Sequence, residues 1–219
     1  MKYFASACII FSMLTSCTVL PTVNQRAVLK RELAEMVVTD QIAASMPQGE
    51  YKKLSNEEWK KFQDSVFISD KNRIKKMFRK HGFLGFDYVG QEGSTHFWLL
   101  VQHSDMDPDF QREVLRAMDK AVKKNNANPN NYALLFDRVQ VNAGKKQKFG
   151  SQVTYDVNGT GRAFPKIGLI DSLNVDKLRV AYKLDSLHQY LNMMTSMHFE
   201  MNKERYLKLG IKEPYQYKP

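Results

Sequence analysis

Apolar residues recur along most of the chain at the three- and four-residue spacing of an amphipathic helix. Leu29, Leu33 and Met36 form the first such stripe. Later stripes begin at Trp59, Phe110, Tyr132 and Leu187. The period changes to two in the segment 147–166, where Val153, Tyr155 and Val157 precede the hairpin turn signal Asn158-Gly159. The pattern predicts a mainly α (α+β) chain: one helical domain with one small antiparallel β hairpin.

Helix boundaries follow from local signals. Ser55 and Glu58 form a capping box, and Gly82 is a typical residue for the end of a helix. We expect a break with a new helix after Asp70, and an aromatic loop over 82–90. Residues 97–101 are apolar on every side, which favours a buried central helix, although a buried strand has the same pattern.

Two further helix starts share one signal, an Asp or Asn cap followed by proline. They are Asp107-Pro108 and Asn128-Pro129. The last residues, 196–219, are polar and rich in tyrosine, and we expect a partly ordered tail.

The N-terminus has the order of a secretory signal: the basic Lys2, an apolar run, and the small-residue segment Leu14-Thr15-Ser16-Cys17. The apolar run of about 11 residues is too short to cross a bilayer. A cysteine at this place resembles the lipobox of bacterial lipoproteins, which implies cleavage before Cys17 and its diacylation. An ordinary cleaved signal is the alternative. The expected segments are a signal at 1–16, a lipidated tether at 17–25, and the helical domain with its hairpin at 26–195.

Composition removes several chemistries. The chain has two cysteines, Cys8 in the signal and Cys17 at its end. The mature domain then has no thiol for a disulfide, a zinc site or a nucleophile. The net charge is +10, and loss of Lys2 with the signal leaves +9. In an envelope, anionic lipid headgroups or envelope polymers are better partners for this charge than nucleic acid. Alternatively, the lysines only solvate helix faces.

Candidate chemistry lies just after the apolar segment 97–101. His103 follows a helix end, where the dipole favours the imidazolium form, and could be a general acid or base with Asp40 or Asp105. Asp40 falls on the apolar face of the first helix, where a carboxylate needs a partner. The alternatives are a hydrogen-bonded core histidine and, for Asp107, a simple helix cap.

Metal binding is not expected. Asp105-x-Asp107-x-Asp109 resembles the opening of an EF-hand loop, but Phe110 and Arg116 occupy its Gly and Glu positions. No cofactor motif is present. Arg138, next to Asp137 in an apolar helix, could bind an anionic group or form an internal salt bridge.

The polar motifs resemble a bacterial family called domain of unknown function 6624, from about residue 33 to 191. The resemblance is carried by Gln102-His103-Ser104-Asp105, Phe110-Gln111, Asp137-Arg138-Val139 and Phe149-Gly150-Ser151-Gln152. Asp40-Gln41 is similar to an early pair of the family, and Ile170-Asp171, Arg179 and Tyr190-Leu191 to its C-terminal segment. Phe149 and Ser151 depart from the family's usual Tyr and Thr. The resemblance implies that these polar positions form one site, without an assigned activity.

We therefore expect a lipoprotein of the bacterial envelope, anchored at Cys17 in the outer membrane and facing the periplasm. Its expected partner is a small molecule or an envelope polymer. The candidate catalytic residues are His103, Asp40 and Asp105, and the candidate binding residues are Gln41, Gln102, Gln111, Arg138 and Gln152. Two alternatives remain. One is a hydrolase of an envelope component that uses a His/Asp pair, and the other is a structural or interaction lipoprotein.

Overall fold

A computed structural model describes residues 22–218 of the chain. In this part it has eight α-helices, one 3₁₀ helix (Gly49–Lys53) and one two-stranded antiparallel sheet. The helices are α1 (Val23–Ala44), α2 (Asn56–His81), α3 (Phe86–Gln102), α4 (Pro108–Lys123), α5 (Pro129–Asn142), α6 (Val175–Ala181), α7 (Leu187–Met201) and α8 (Lys203–Lys208). The mainly α class with a small hairpin is confirmed. The signal at 1–16 and Cys17 lie outside the described residues.

Helices α1, α2 and α3 pack together around the main core. The side chain of Gln63 in α2 donates to the carbonyl of Ala43 at the end of α1, whereas Arg73, further along α2, meets Glu32 in the first half of α1. These two helices are therefore antiparallel. Arg26 reaches the carbonyl of Asp87 in α3. Because Asp40 and His103 also meet, near the far ends of α1 and α3, those two helices run parallel.

Helix α2 runs without interruption for 26 residues, so the expected break at Asp70 is wrong. An aspartate is a start signal only when its side chain caps exposed N–H groups. Asp70 instead lies on the buried face of α2 with Ile74 and Met77, and the helix continues through it. The capping box of Ser55 and Glu58 and the final Gly82 are as expected.

The expected loop over 82–90 is also wrong beyond its first residues. Helix α3 begins at Phe86 because Asn126 satisfies its first turn: the Asn126 backbone carbonyl accepts from Phe86 N–H, and its side-chain oxygen accepts from Asp87 N–H. Gly90 has a positive φ of 73° and kinks the helix without ending it. The segment 97–101 is helical, as favoured.

The helices α4 and α5 begin at the two Xaa-Pro signals, with Asp107 and Asn128 as caps. The sheet consists of β1 (Val153–Tyr155) and β2 (Ala163–Pro165), which are shorter than the segment 147–166 suggested. Their connection is not a two-residue turn at Asn158-Gly159. It is a longer loop organised by Asp156, whose backbone carbonyl accepts from the amides of Gly159 and Gly161.

The hairpin packs on α7 and, with α6, forms a second apolar cluster. The chain remains helical past residue 196, where we expected a polar tail. Helix α7 continues to Met201, α8 follows, and its Tyr206 is 1% exposed. Near the end of the chain, the Tyr217 hydroxyl donates to the carbonyl of Ala163 in β2. At the other end, α1 already begins at Val23, within the expected tether.

None of the helices within residues 22–218 is long and apolar enough to span a membrane.

Tyr206→Ala tests whether the C-terminal helices belong to the folded unit. The substitution leaves a cavity beside Phe199 and removes the hydroxyl that meets His198 Nε2 at 3.0 Å. We expect a loss of about 3 kcal/mol of unfolding free energy, measured by urea denaturation. Leu209→Ala, at a side chain that is 57% exposed, is the control and should change stability by less than about 0.5 kcal/mol. Equal effects would mean that α8 is not packed on the domain.

Candidate functional site

The imidazole of His103 lies against the carboxylate of Asp40. His103 is the residue at which α3 ends, and Asp40 lies one turn before the end of the parallel helix α1. The Nδ1–H group donates to Asp40 Oδ2 at 2.7 Å and to Oδ1 at 2.9 Å. Asp40 is completely buried, so this contact supplies the partner that its carboxylate needs.

The contact fixes the ring and its tautomer. A carboxylate only accepts, so the proton of the imidazole lies on Nδ1, and Nε2 is the acceptor when the ring is neutral. Gln41 Nε2 donates to Asp40 Oδ2 at 3.0 Å. The centroid of the Phe67 ring lies 5.4 Å from that of the imidazole. The His103 side chain is 18% exposed, and no group within residues 22–218 bonds to Nε2, which is not enclosed.

Asp70 is a further carboxyl near this pair that sequence reasoning did not select as a site residue. It is 6% exposed and lies on the face of α2 that meets α1 and α3. Burial raises the pKa of Asp70 to about 6, the charge of Asp40 adds to this, and Arg73 and His103 act in the opposite direction. The sequence did contain a signal for its burial: Asp70 lies four residues before the apolar Ile74 and therefore shares a helix face with it.

A second polar cluster surrounds Asp105, two residues after His103. Arg138 of α5 donates to both oxygens of this carboxylate, from Nε at 2.9 Å and from Nη2. Gln111 Nε2 and Asn142 Nδ2 also donate to it, at 3.0 and 2.8 Å. Burial alone would raise the pKa of Asp105, but the hydrogen bonds and charge of Arg138, with the two amides, hold it below its usual value. The salt bridge of Arg138 is therefore with Asp105 and not with its neighbour Asp137.

Asp137 is not part of the Asp105 cluster and stabilises a loop. Its buried carboxylate accepts the backbone N–H groups of Lys148, Phe149 and Ser151 and so holds the loop that follows α5. Burial raises the pKa of Asp137, although these N–H groups oppose the shift. Gln147 fastens the same loop, because its side chain bonds to the backbone of Gln152 in both directions.

The expected residues thus fall into two adjacent groups and one outlier. Asp40, Gln41 and His103 form the first group, and Asp105, Gln111 and Arg138 form the second. Gln102 contributes its backbone carbonyl, which accepts from Gln111 Nε2 at 3.2 Å. Gln152 lies in the loop held by Asp137, and its side chain bonds to none of the other candidate residues within 22–218.

Two other expectations concern the neighbourhood of this site. Asp107 is a helix cap, accepting from Phe110 N–H, and it also pairs with Lys75. Phe149, noted above as a departure from the motif, is fully buried and packs against the rings of Phe136 and Tyr182, so this position belongs to the core. In residues 22–218, no three His, Cys, Asp or Glu side chains are arranged to hold a metal ion.

An open groove of about 840 Å³ is lined by Gln41, whose side chain donates to Asp40, but not by Asp40 or His103 themselves. It runs between the end of α1 and the 3₁₀ helix. A slightly larger groove of about 910 Å³ lies at α7 and α8 and touches none of the candidate residues. The hydrogen bond from Gln41 to Asp40 therefore connects the smaller groove with the candidate site.

Replacing Arg138 with glutamine tests the Asp105 cluster. The ion pair is partly exposed, so we expect a loss of about 1–2 kcal/mol of unfolding free energy at pH 7. Because the pKa of Asp105 is lowered by folding, its contribution is present above its ordinary pKa of about 3.9 and is lost as the pH falls through the folded value. The stability difference between wild type and Arg138→Gln should therefore shrink in acid. Arg112→Gln, at an exposed pair within α4, is the control, and a difference that is constant with pH would contradict the assignment.

No curated protein and no solved structure matches the chain. A family described as a family of unknown function, DUF6624, matches residues 27–199, which include every candidate residue from Asp40 to Gln152. The chain is a member of the DUF6624 family.

Proposed function

We propose that this protein is a lipid-anchored component of the bacterial cell envelope whose helical domain binds a small molecule or an envelope polymer at His103. Support for the anchor comes from the order of Lys2, the apolar run and Leu14-Thr15-Ser16-Cys17. Two or more acyl chains on Cys17 would hold the domain stably at a membrane, which one chain would not.

The observation that carries the binding site is the geometry of the His103 ring. Asp40 holds Nδ1, and Nε2 points away from this contact with no partner in residues 22–218. A ring fixed in this way meets a ligand with little further loss of conformational freedom. The ligand group that suits a neutral Nε2 is a hydrogen-bond donor, such as a hydroxyl or an amine.

Arg138 is less suited to capture an anionic ligand group. Its Nε and Nη2 already donate to Asp105, and this pairing uses the fork that would otherwise bind a carboxylate or phosphate. The Asp105 cluster instead supports the turn between α3 and α4. That turn begins at His103, so the cluster supports the position of the imidazole.

Hydrolysis is the second candidate function, and the same Asp40–His103 contact favours it. A histidine held by a buried carboxylate at Nδ1 is an arrangement that serves as a general base through Nε2. The neighbouring hydroxyl of Ser104 is fully buried and donates to the carbonyl of Leu100, so it is not placed as a nucleophile. His103 Nε2 would then take one proton from a water molecule while the water oxygen attacks the substrate. The protonated imidazole would give that proton to the leaving group as the scissile bond breaks.

His103→Gln tests both functions. Soluble fragments of envelope polymers would be added to the labelled protein, and binding would be followed by NMR shift changes. A fragment that binds wild type should bind the variant at least about tenfold more weakly, because a well-placed hydrogen bond to an imidazole is lost. In a panel of hydrolase substrates, any activity should fall by about 10²–10⁴-fold. His188→Gln, in the C-terminal part of the domain, is the control, and equal binding and rates in all three proteins would refute a role for His103.

The anchor has its own test. Protein extracted with detergent from bacterial membranes should begin at Cys17 and carry the mass of its acyl chains. Cys17→Ser should keep Met1 and lose the added mass, because the serine hydroxyl does not replace the thiol in diacylation. Native protein that retains Met1 and no fatty acid would contradict the proposed location.

A further inference from the structure

We propose that Asp70 is a positioning residue of the His103 site: its carboxyl gains and loses a proton and so sets the charge that the Asp40–His103 pair faces. The inference rests on the proposed function at His103 and adds a residue to it.

Asp70 lies on α2 close to the residue that contacts the His103 ring. Phe67 lies against the His103 ring at 5.4 Å. Asp70 follows Phe67 by three residues, which is about 4.5 Å along the helix and on the same face. The antiparallel contacts of α1 and α2 place this stretch of α2 beside the Asp40 half of α1.

Within residues 22–218, Asp70 lacks the hydrogen-bond donors that the other buried aspartates have. Three aspartates are buried in the described part of the chain, Asp40, Asp70 and Asp137. Asp40 accepts from His103 and Gln41, and Asp137 accepts three backbone N–H groups. Neither oxygen of Asp70 bonds to a donor within residues 22–218, and Oδ2 is enclosed. A buried carboxylate without a donor is costly, so this group holds its proton more firmly than an exposed aspartate.

Charged groups from three helices act on the carboxyl of Asp70. Helix α1 contributes Asp40, α3 contributes His103, and α2 itself contributes Arg73, which is engaged with Glu32 of α1. On the side of α4, the charges of Lys75 and Asp107 meet each other. Burial is the largest cause of the raised pKa of Asp70, about 6, and Asp40 is the next.

These charges give the group a pH-dependent effect on its neighbours. Below about pH 6 Asp70 is neutral, and His103 faces only the carboxylate of Asp40. Above that pH a second negative charge appears, which favours a proton on the imidazole. Asp70 therefore acts on the ligand-facing Nε2 through electrostatics and without touching the ligand.

The first experiment follows the carboxyl carbon of Asp70 by NMR in the free protein as the pH changes. We expect a midpoint near 6. Asp40→Asn should lower it, because a repelling carboxylate is removed, and His103→Gln should raise it, because a stabilising positive charge is removed. Asp64→Asn, on an exposed face of the same helix, is the control and should leave it unchanged. An Asp70 midpoint near 4, or one that neither substitution moves, would overturn the proposal.

The second experiment measures the effect on His103 with diethyl pyrocarbonate, which modifies the unprotonated imidazole. The rate at His103 would be read by peptide mass spectrometry for wild type and Asp70→Asn. We expect equal rates at pH 5, where Asp70 is neutral in the wild type, and a rate roughly two- to tenfold faster in the variant near pH 7, where Asp70 is charged, as expected for a charge several Å away. At high pH, where the imidazole is unprotonated in both proteins, the two rates should converge. A purely structural role would change the rate by the same factor at every pH, and that result would also overturn the proposal. Neither experiment needs the ligand, so a failure to find one is a separate outcome.

Discussion

The burial of Asp40 is the constraint around which the first three helices are arranged. A carboxylate removed from water needs donors, and the two that it has come from different places: Gln41 in its own helix and His103 at the end of α3. The contact therefore holds the ends of α1 and α3 together and fixes the imidazole at the same time. Without His103, the buried carboxylate of Asp40 would keep only Gln41 as a donor. The free energy of unfolding would fall, and the contact between the ends of α1 and α3 would be lost.

Three other polar motifs extend this arrangement towards the C-terminal half. Asp105, just past His103, binds Arg138 of α5, and the next residue back, Asp137, holds the loop at 148–151. That loop meets Arg179 of α6, whose Nη1 donates to the carbonyl of Phe149. One continuous set of contacts thus joins five segments that are far apart in sequence, at residues 40–41, 103–105, 137–138, 148–151 and 179. These contacts give each segment a role in the fold, without requiring that all of them bind a ligand.

Much of the fold could be predicted from the sequence, because helix periodicity and caps are local signals. The starts at Asp107-Pro108 and Asn128-Pro129 and the end at Gly82 depend on a few neighbouring residues and are confirmed. The failures depended on distant groups. Helix α3 begins early because Asn126 binds its first turn, and the chain past 196 is helical because Tyr206 is buried.

The candidate site shows the same division. The apolar periodicity of α1 predicted that the carboxylate of Asp40 faces the core and needs a partner. In the structure Asp40 is buried and accepts a hydrogen bond from His103. The acid that pairs with Arg138 could not be predicted, because it depends on how α5 packs against the end of α3. From the sequence alone, the adjacent Asp137 was an equally reasonable partner. Asp70 was missed because an aspartate within a helical pattern was interpreted as a boundary and not as a buried group.

The parallel course of α1 and α3 has a consequence for distance. Both helices direct their C-terminal ends to the same place, and α1 runs from Val23 to Asp40 without a break. At 1.5 Å per residue, this is about 26 Å of rigid rod. If Cys17 is attached to a bilayer, the helix separates the imidazole from its own point of attachment. A rod of this length would allow the site to contact molecules up to about 26 Å farther from the lipid surface than the start of α1.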